Sequence, residues 1–250
     1  MLKTLWNGSP LSQGLATCVL IALLPFFVTQ AGAGAAPEKQ LQRISREQLC
    51  VTNGIVSSLP DGLLGIETPS SRAVVRVVTD QTAEVRFRYL GPTKASKPLA
   101  SGELRRQIGL KLRAQDSCNL VYAMWHIEPD SKFSVSLKRN PDKHTHAECH
   151  ADGYVTMKAR SHVDLPRIQP GESHWLRAAL RGDDLTLFAD GRLVWEGTLG
   201  SQIAAFDGPV GLRTDNARFE FEYYAGNPGA GDASRAADGR FNSCSMGTED

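Results

Sequence analysis

The stretch from Ser173 to Tyr224 constrains the fold of this 250-residue chain more than any other segment. Two runs of alternating apolar and polar residues flank the dipeptide Asp190-Gly191. An Asp-Gly pair between such runs is a strong hairpin signal, because a type I′ turn needs positive φ at both central residues. We therefore predict an antiparallel hairpin centred on Asp190-Gly191, followed by a further strand that ends near Tyr224.

The same alternation occurs in several other segments of the chain. Successive side chains on a strand point to opposite faces, so one face of each segment can be apolar and the other polar. The apolar positions are Ala83, Val85, Phe87 and Tyr89; Ile108, Leu110 and Leu112; Phe133, Val135 and Leu137; Leu176, Ala178 and Leu180; and Phe219, Phe221 and Tyr223. This pattern predicts an all-β fold in which two antiparallel sheets pack as a sandwich.

Motifs in the C-terminal half resemble a known superfamily. They are His174-Trp175-Leu176-Arg177, Gly182-Asp183-Asp184-Leu185, the run from Phe188 to Val194, and Gly208-Pro209-Val210-Gly211-Leu212-Arg213. The series is similar to that of concanavalin A-like lectin/glucanase jelly rolls, which include laminin-G-like modules. The resemblance implies a jelly-roll β-sandwich. It does not select a function, because lectins, hydrolases, lyases and adhesion modules share this fold.

Residues 1–33 have the pattern of a secretory signal peptide. Lys3 supplies a short basic region, and residues 15–28 form an uncharged apolar run that is short for a membrane span. Small-residue patterns end at Ala33 and at Ala35, and cleavage after either residue fits them. The sequence therefore predicts a secreted or periplasmic protein without a membrane span after signal cleavage.

The rest of the chain is predicted to be one domain with an extension at each end. Residues 34–48 are polar and expected to be flexible, residues 49–225 carry the strands, and residues 226–250 form a Gly- and Ala-rich tail. With Lys3 removed, basic and acidic residues are equal in number at 27. A neutral chain lacks the basic footprint of bulk nucleic-acid binding, so nucleic acid is not an expected partner.

Four cysteines follow the leader, namely Cys50, Cys118, Cys149 and Cys244. An even number of cysteines in an exported protein predicts disulfides, and three pairings are open. We expect Cys118–Cys149, because a meander can bring these two residues together. We also expect Cys50–Cys244, which would tie the C-terminal tail to the sandwich.

Basic residues form the first candidate ligand-binding group. Arg86, Arg88, Lys111 and Arg113 take outward positions on the predicted strands, as do Lys138 and Arg139, so one solvent face is cationic if these strands share a sheet. Arginine pairs bidentately with carboxylates, which makes an anionic polysaccharide or glycan the natural partner. The alternative is a solvated strand face whose charges oppose aggregation.

The strand around Trp125 is the second candidate. Trp125 points away from Tyr122 on a regular strand, either into a groove, where an indole stacks on sugar rings, or into the core. His126 and Glu128 share the opposite face and have the chemistry of a base and an acid. If the protein is a lyase, Arg88, His126 and Tyr122 are candidates for neutralising a uronate and removing its proton.

Histidines cluster at His144, His146 and His150, with Glu148 among them. On an extended strand these four residues share one face. Imidazole and carboxylate groups suit zinc, yet four such residues in line span about 20 Å, so at most two neighbours could bind the same ion. The alternative is a polar outer face beside a disulfide. No cofactor is predicted, with calcium and zinc left open.

Catalytic signatures of the resembled superfamily are incomplete. The glucanase pattern needs a Glu-x-Asp strand that ends in a second glutamate, and Glu128-Pro129-Asp130 lacks that last residue. The strand motifs of alginate lyases are incomplete as well. We therefore expect an exported, non-catalytic carbohydrate-binding or cell-envelope interaction module. A polysaccharide lyase or glycoside hydrolase, and a purely structural envelope domain, are the alternatives.

Overall fold

The computed structural model describes residues 40–77, 79–163, 165 and 167–227, and these residues form two antiparallel sheets. Sheet A contains β1 (Leu41–Ile44), β3 (Ser57–Ser58), β4 (Leu64–Ile66), β6 (Thr82–Pro92), β11 (Ser161–His162), β12 (Ser173–Arg181), β13 (Asp184–Ala189), β14 (Arg192–Thr198) and β16 (Ala217–Gly226). Sheet B contains β2 (Leu49–Asn53), β5 (Ser70–Val75), β7 (Arg106–Leu112), β8 (Leu120–Glu128), β9 (Lys132–Lys138), β10 (Tyr154–Thr156) and β15 (Gly211–Asp215).

The chain crosses repeatedly between the two sheets. Sheet A has the order β11-β14-β13-β12-β6-β16-β4-β3, with β1 also paired to β16, and sheet B has the order β10-β9-β8-β7-β15-β5-β2. Consecutive strands β5, β6 and β7 therefore lie in sheets B, A and B, and β14, β15 and β16 lie in sheets A, B and A. This connectivity confirms the predicted all-β jelly-roll sandwich with two antiparallel sheets.

The described sandwich begins earlier in the sequence than expected. Leu41–Ile44 pairs with Tyr223–Gly226 of β16, so part of the segment 34–48 belongs to sheet A. Residues 1–33, with the expected signal peptide, lie outside the described residues, as does the expected tail beyond Asn227. Within the described part of the chain, no helix has the length and apolar character needed to cross a membrane.

The predicted hairpin is present at Asp190-Gly191. Both residues have positive φ, at 48° and 81°, as a type I′ turn requires. The Asp190 side chain also accepts a hydrogen bond from the backbone N–H of Trp175 at 2.9 Å. This bond joins the turn to β12, so the turn holds three neighbouring strands in register.

One apolar cluster fills the space between the sheets. The alternating positions predicted to be buried in β6, β7, β12 and β16 lie in it. Trp125 is 1 % exposed, and its ring centroid lies 5.7 Å from that of Phe87 and 5.0 Å from that of Phe133. Trp125 is therefore a core residue, and the prediction that it lines a ligand groove is wrong.

The Cys118–Cys149 disulfide is present, with Cα atoms 5.9 Å apart. It links the segment before β8 to the helix α1 (His146–Cys149). Cys50 is disulfide-bonded too. Its expected partner, Cys244, lies outside the described residues, so the Cys50–Cys244 pairing stays a prediction.

Replacing Trp125 with alanine should lower the free energy of unfolding by about 3–5 kcal/mol, because it removes a large buried side chain and leaves a cavity. Urea unfolding of both proteins measures the change. The exposed Val155, at 54 % exposure, supplies a control, since Val155→Ala should stay within about 0.5 kcal/mol of the unaltered protein. Equal effects of the two changes would contradict the placement of Trp125 in the core.

Candidate functional site

Sheet B carries a pocket on the face that is turned away from the core. Its volume is about 240 Å³, and β5, β8, β9, β10 and β15 contribute to its lining. Among the described residues, the basic side chains that line it are Arg72, Lys97, Lys138 and Arg213, against one carboxylate, that of Asp215. We call it the basic pocket.

Strand alternation places an ion cluster on the floor of the basic pocket. Leu212 faces the core, so Arg213 and Asp215 face outward from β15. Arg213 donates from Nε to Oδ2 of Asp215 at 2.9 Å, and Arg72, its cross-strand neighbour on β5, donates from Nη2 to Oδ1 at 2.7 Å. The Asp215 carboxylate therefore bridges two guanidinium groups.

Burial and ion pairing oppose each other in this cluster. Burial alone raises the pKa of Asp215, but Arg213 and Arg72 hold that pKa below the usual carboxyl range. Burial likewise disfavours the charge on Arg213, yet Asp215 beside it raises the pKa of the guanidinium. Both groups are charged near neutral pH, and Asp215 is not available there as a proton donor.

Two tyrosines stand beside these cations. The rings of Tyr122 on β8 and Tyr154 on β10 stack, with centroids 6.0 Å apart and planes 21° from parallel. The Arg213 guanidinium carbon lies 4.9 Å from the Tyr122 centroid, and Lys138 Nζ lies 5.2 Å from the Tyr154 centroid. The pocket thus combines positive charge with aromatic rings, which are the groups that contact sugar rings.

The first wall of the basic pocket is the segment that contains α1. Thr145 and Glu148 form a capping box at the start of this short helix, and backbone and side-chain hydrogen bonds from Thr145 and His144 lower the pKa of Glu148 to about 2. Lys138 donates from Nζ to the carbonyl oxygens of Ser117, at 3.0 Å, and His150, at 2.8 Å. Together with the disulfide, these bonds hold the wall against sheet B.

The second wall is the segment 97–100, which follows β6. The backbone N–H of Lys97 donates to Oδ1 of Asn216 at 2.7 Å, and Nδ2 of Asn216 donates to the Lys97 carbonyl oxygen at 2.9 Å. Asn216 comes directly after β15 and has a φ of 54°, a conformation that asparagine tolerates better than most residues. This paired amide contact joins the wall to the strand that supplies Arg213.

The predicted cationic face is not formed, because Arg86, Arg88, Lys111 and Arg113 lie on different surfaces. Arg86 and Arg88 are on β6 of sheet A, whereas Lys111 is on β7 of sheet B. Lys111 is fully buried, at 0 % exposure. Arg113 follows the end of β7 with a φ of 45°, and its Nη1 donates to the carbonyl oxygen of Phe206 at 3.0 Å. The prediction assumed that these strands share one sheet.

The outer face of sheet A carries mixed charge. Arg88 lies opposite Glu220 and Arg86 lies opposite Glu222 in the pairing of β6 with β16. Arg86 also donates from Nε to Glu84 at 2.6 Å. Alternating opposite charges offset each other's potential, so this face does not offer the anion site that the sequence predicted.

Tyr122, His126 and Glu128 all lie on β8, but they do not form one catalytic group. Tyr122 lines the basic pocket, while Arg88, its expected partner, lies on sheet A. His126 is 3 % exposed, and burial, reinforced by the nearby charge of Arg105, lowers its pKa to about 3. It is therefore neutral at physiological pH and shielded from solvent.

Glu128 is separated from His126 by a shift in the pairing of β7 with β8. It lies at the end of the strand, where it accepts a hydrogen bond from the Tyr89 hydroxyl at 3.0 Å and forms an ion pair with Arg106. Neither His126 nor Glu128 lines the basic pocket. The expected base and acid therefore do not meet the tyrosine and cations of this pocket.

The histidine cluster does not lie on a strand. His146 and Glu148 belong to α1, and His144 precedes it, with Nδ1 2.9 Å from Oδ2 of Asp116. Among the described residues, no group of three or more His, Cys, Asp or Glu side chains is placed to hold a metal ion. His146 and His150 instead line the basic pocket, with ring centroids 6.2 Å apart.

Sequence reasoning missed most of the basic pocket. Arg72 and Arg213 were not singled out, although each is a charged residue inside an apolar strand, in Ser-Arg-Ala-Val and Gly-Leu-Arg-Thr-Asp. That signal shows that the residue faces outward, but it does not show that Arg72 and Arg213, which are far apart in the sequence, lie on neighbouring strands. Tyr122, Lys138, His146 and His150 are the residues that both the predictions and the pocket contain.

The strand topology defines the fold class of this protein: it is a jelly-roll β-sandwich of two antiparallel sheets. No protein-family model matches the sequence, and no curated protein matches it. Solved structures of this class match it at low identity.

A carbohydrate-binding module, CBM66 from Bacillus subtilis, is 17 % identical with a TM-score of 0.49, covering 70 % of this chain and 91 % of that chain. An endo-β-1,3-glucanase from Pyrococcus furiosus is 14 % identical with a TM-score of 0.43, covering 76 % and 97 %. A laminarinase catalytic domain from Thermotoga petrophila is 10 % identical with a TM-score of 0.44, covering 75 % and 98 %. At such low identities and TM-scores, these likenesses do not bear on the ligand or activity of this chain.

The buried His126 should make the protein less stable in mild acid. Its folded pKa of about 3 lies below the ordinary 6.5, so the unfolded chain takes up a proton first as the pH falls below 6.5. As the pH falls from 6.5 to 5, this proton uptake by the unfolded chain lowers the free energy of unfolding by about 1.5 kcal/mol. In urea unfolding, the free energy of unfolding of His126→Gln should change less with pH over this range than that of the unaltered protein. The same pH dependence in both proteins would contradict the burial of a neutral His126.

Loss of the Cys118–Cys149 disulfide should destabilise the sandwich. The two cysteines are 31 residues apart. A bridge that closes such a loop contributes about 4 kcal/mol in the loop-entropy account. We expect the double change Cys118→Ser and Cys149→Ser to lower the free energy of unfolding by an amount of that order. Urea unfolding measures it, and Ser117→Ala is the control because it leaves the bridge intact.

Proposed function

We propose that this protein is an exported, non-catalytic carbohydrate-binding module that holds anionic polysaccharide in the basic pocket. The observation that carries the proposal is the placement of Arg213 beside the Tyr122 ring and of Lys138 beside the Tyr154 ring, with Arg72 in the same pocket lining. Cations attract the acid groups of such a polymer, and aromatic rings supply flat apolar contact.

The charge of the pocket supports an acidic ligand. Asp215 satisfies part of the charge on Arg72 and Arg213, but Lys97 and Lys138 add two further cations to the same lining. Low-dielectric walls strengthen the field inside a concave site, even when the whole chain is close to neutral. The proposed anion site is therefore on sheet B rather than on the sheet A face that the sequence indicated.

The carboxyl groups support a role without catalysis. Glycoside hydrolysis uses a pair of Asp or Glu residues, about 5–9.5 Å apart, that flank the scissile bond. Among the described residues that line the basic pocket, Asp215 is the one carboxylate, and its lowered pKa and two arginine partners remove it from acid–base work. The pocket is built to hold charge, not to transfer protons between two carboxyl groups.

Export is supported by the leader pattern in residues 1–33 and by the Cys118–Cys149 disulfide. Disulfides of this kind persist in the oxidising surroundings of secreted and periplasmic proteins. A module released into that space meets cell-envelope and extracellular polysaccharides, which are the ligands proposed for it.

A polysaccharide lyase is the competing function, because the same pocket holds tyrosine and histidine side chains next to arginine. Such an enzyme neutralises a uronate with a cation and removes the neighbouring proton with a base. Incubating the protein with alginate or polygalacturonate and following the absorbance of unsaturated sugar ends tests this directly. New absorbance that is lost in Tyr122→Phe would replace the binding proposal with the lyase.

Binding should favour acidic over neutral polysaccharide and weaken with salt. Isothermal titration compares the affinities for polygalacturonate, which is acidic, and laminarin, which is neutral. Each is measured below and well above 0.15 M salt, where the Debye length is about 8 Å. The variant Lys97→Gln removes an exposed pocket cation and should weaken acidic binding severalfold. Arg88→Gln removes an exposed cation of sheet A and is the matched control.

Equal loss of affinity in Lys97→Gln and Arg88→Gln would place binding outside the basic pocket. Absence of binding to either polymer, with the fold intact, would leave the structural envelope domain as the function. Both results are read against circular dichroism of the same protein samples.

A further inference from the structure

The basic pocket is small. Sites for drug-sized ligands occupy roughly 300–1,000 Å³, and this pocket has about 240 Å³. That volume has room for one sugar ring and its substituents rather than for several consecutive residues. The polysaccharide proposed above must therefore present a single unit to this site.

Walls border the pocket on three sides. β8 and β15 run parallel, since both pair antiparallel with β7. The wall around α1 is joined through the Cys118–Cys149 disulfide to the start of β8. The segment 97–100 is joined to Asn216, directly after the end of β15. The two walls therefore stand at opposite ends of these parallel strands. Tyr154, on the edge strand β10, borders a third side.

Arg213 presents an unused fork of donors to this space. Its Nε is bonded to Asp215, and the face of its guanidinium lies over Tyr122. Among the described residues, its two Nη groups donate no hydrogen bond, and the side chain lines the pocket. A planar pair of N–H donors fits a carboxylate with two parallel bonds, whereas a lysine ammonium acts as a point charge.

We propose that the basic pocket takes one carboxylated sugar residue, a uronic acid at a chain end or on a side branch, with its carboxylate on the Nη groups of Arg213. The inference rests on the proposed function, since it names the ligand unit of the same site. In this site Arg213 recognises the charge of the sugar, and the two walls and Tyr154 limit how many sugar units can enter.

Isothermal titration of the unaltered protein tests the length limit. The probes are the methyl glycoside of galacturonic acid, which keeps its carboxylate free, the corresponding di- and tetrasaccharides, the methyl ester of that monosaccharide glycoside, and a sulfated monosaccharide. We expect the mono- and tetrasaccharide affinities, per chain end, to agree within about threefold. The ester lacks the charge and should bind about 10- to 100-fold more weakly, as expected for a lost charged hydrogen bond.

Arg213→Lys tests the role of the fork, because it keeps the charge and removes the planar donors. We expect it to weaken uronate binding about tenfold or more and to narrow the preference for carboxylate over sulfate. Arg88→Lys is the matched control on sheet A. If Arg213→Lys fails to fold, the ligand series on the unaltered protein decides the question.

The two proposals fail in different ways. A tetrasaccharide that binds more than about tenfold tighter than the monosaccharide would overturn the single-unit site and leave the carbohydrate-binding function standing. Sulfated sugar bound as well as uronate would overturn the carboxylate assignment. No binding to any of these probes, or to acidic polymer, would remove the proposed function and this inference together.

Discussion

The apolar layer between sheets A and B decides where every other side chain of the sandwich can lie. A strand that gives a residue such as Leu212 to this layer must turn the next residue to the opposite face. Arg213 and Asp215 lie in the basic pocket for this reason. The pocket chemistry is therefore attached to the same strands whose inner faces hold the molecule together, which gives its side chains rigid positions.

The cluster of Arg72, Asp215 and Arg213 fits the proposed recognition of an anion better than a role in stability. Taking ions out of water costs several kcal/mol each, and a buried ion pair often stabilises a fold less than apolar residues of the same size. Here one carboxylate is shared between two guanidinium groups, which orients both of them. Arg213 is further oriented by the Tyr122 ring, so its remaining donors are presented in a fixed plane.

Much of the fold followed from local pattern, and much of the site did not. Val85, Phe87, Leu110 and Leu112 were predicted to be buried and are, because alternation depends on neighbours within one strand. The same reasoning placed Lys111 on the outward side of sheet B, yet its side chain is fully buried. Joining Lys111 to the β6 arginines failed because alternation does not reveal which strands share a sheet.

The sequence by itself predicted the alternating strands β6, β7, β9, β12 and β16, the faces of their side chains and the Asp190-Gly191 turn, and it favoured the Cys118–Cys149 pairing among three. All of these depend on short-range geometry or on a small number of alternatives. Only the tertiary structure decided that Trp125 fills the core and that Arg72 meets Arg213. Those outcomes depend on the order of the strands in each sheet. They also depend on the Cys118–Cys149 disulfide and the hydrogen bonds that hold the two pocket walls over sheet B. Contacts between residues so distant in sequence leave no local pattern that a sequence could reveal.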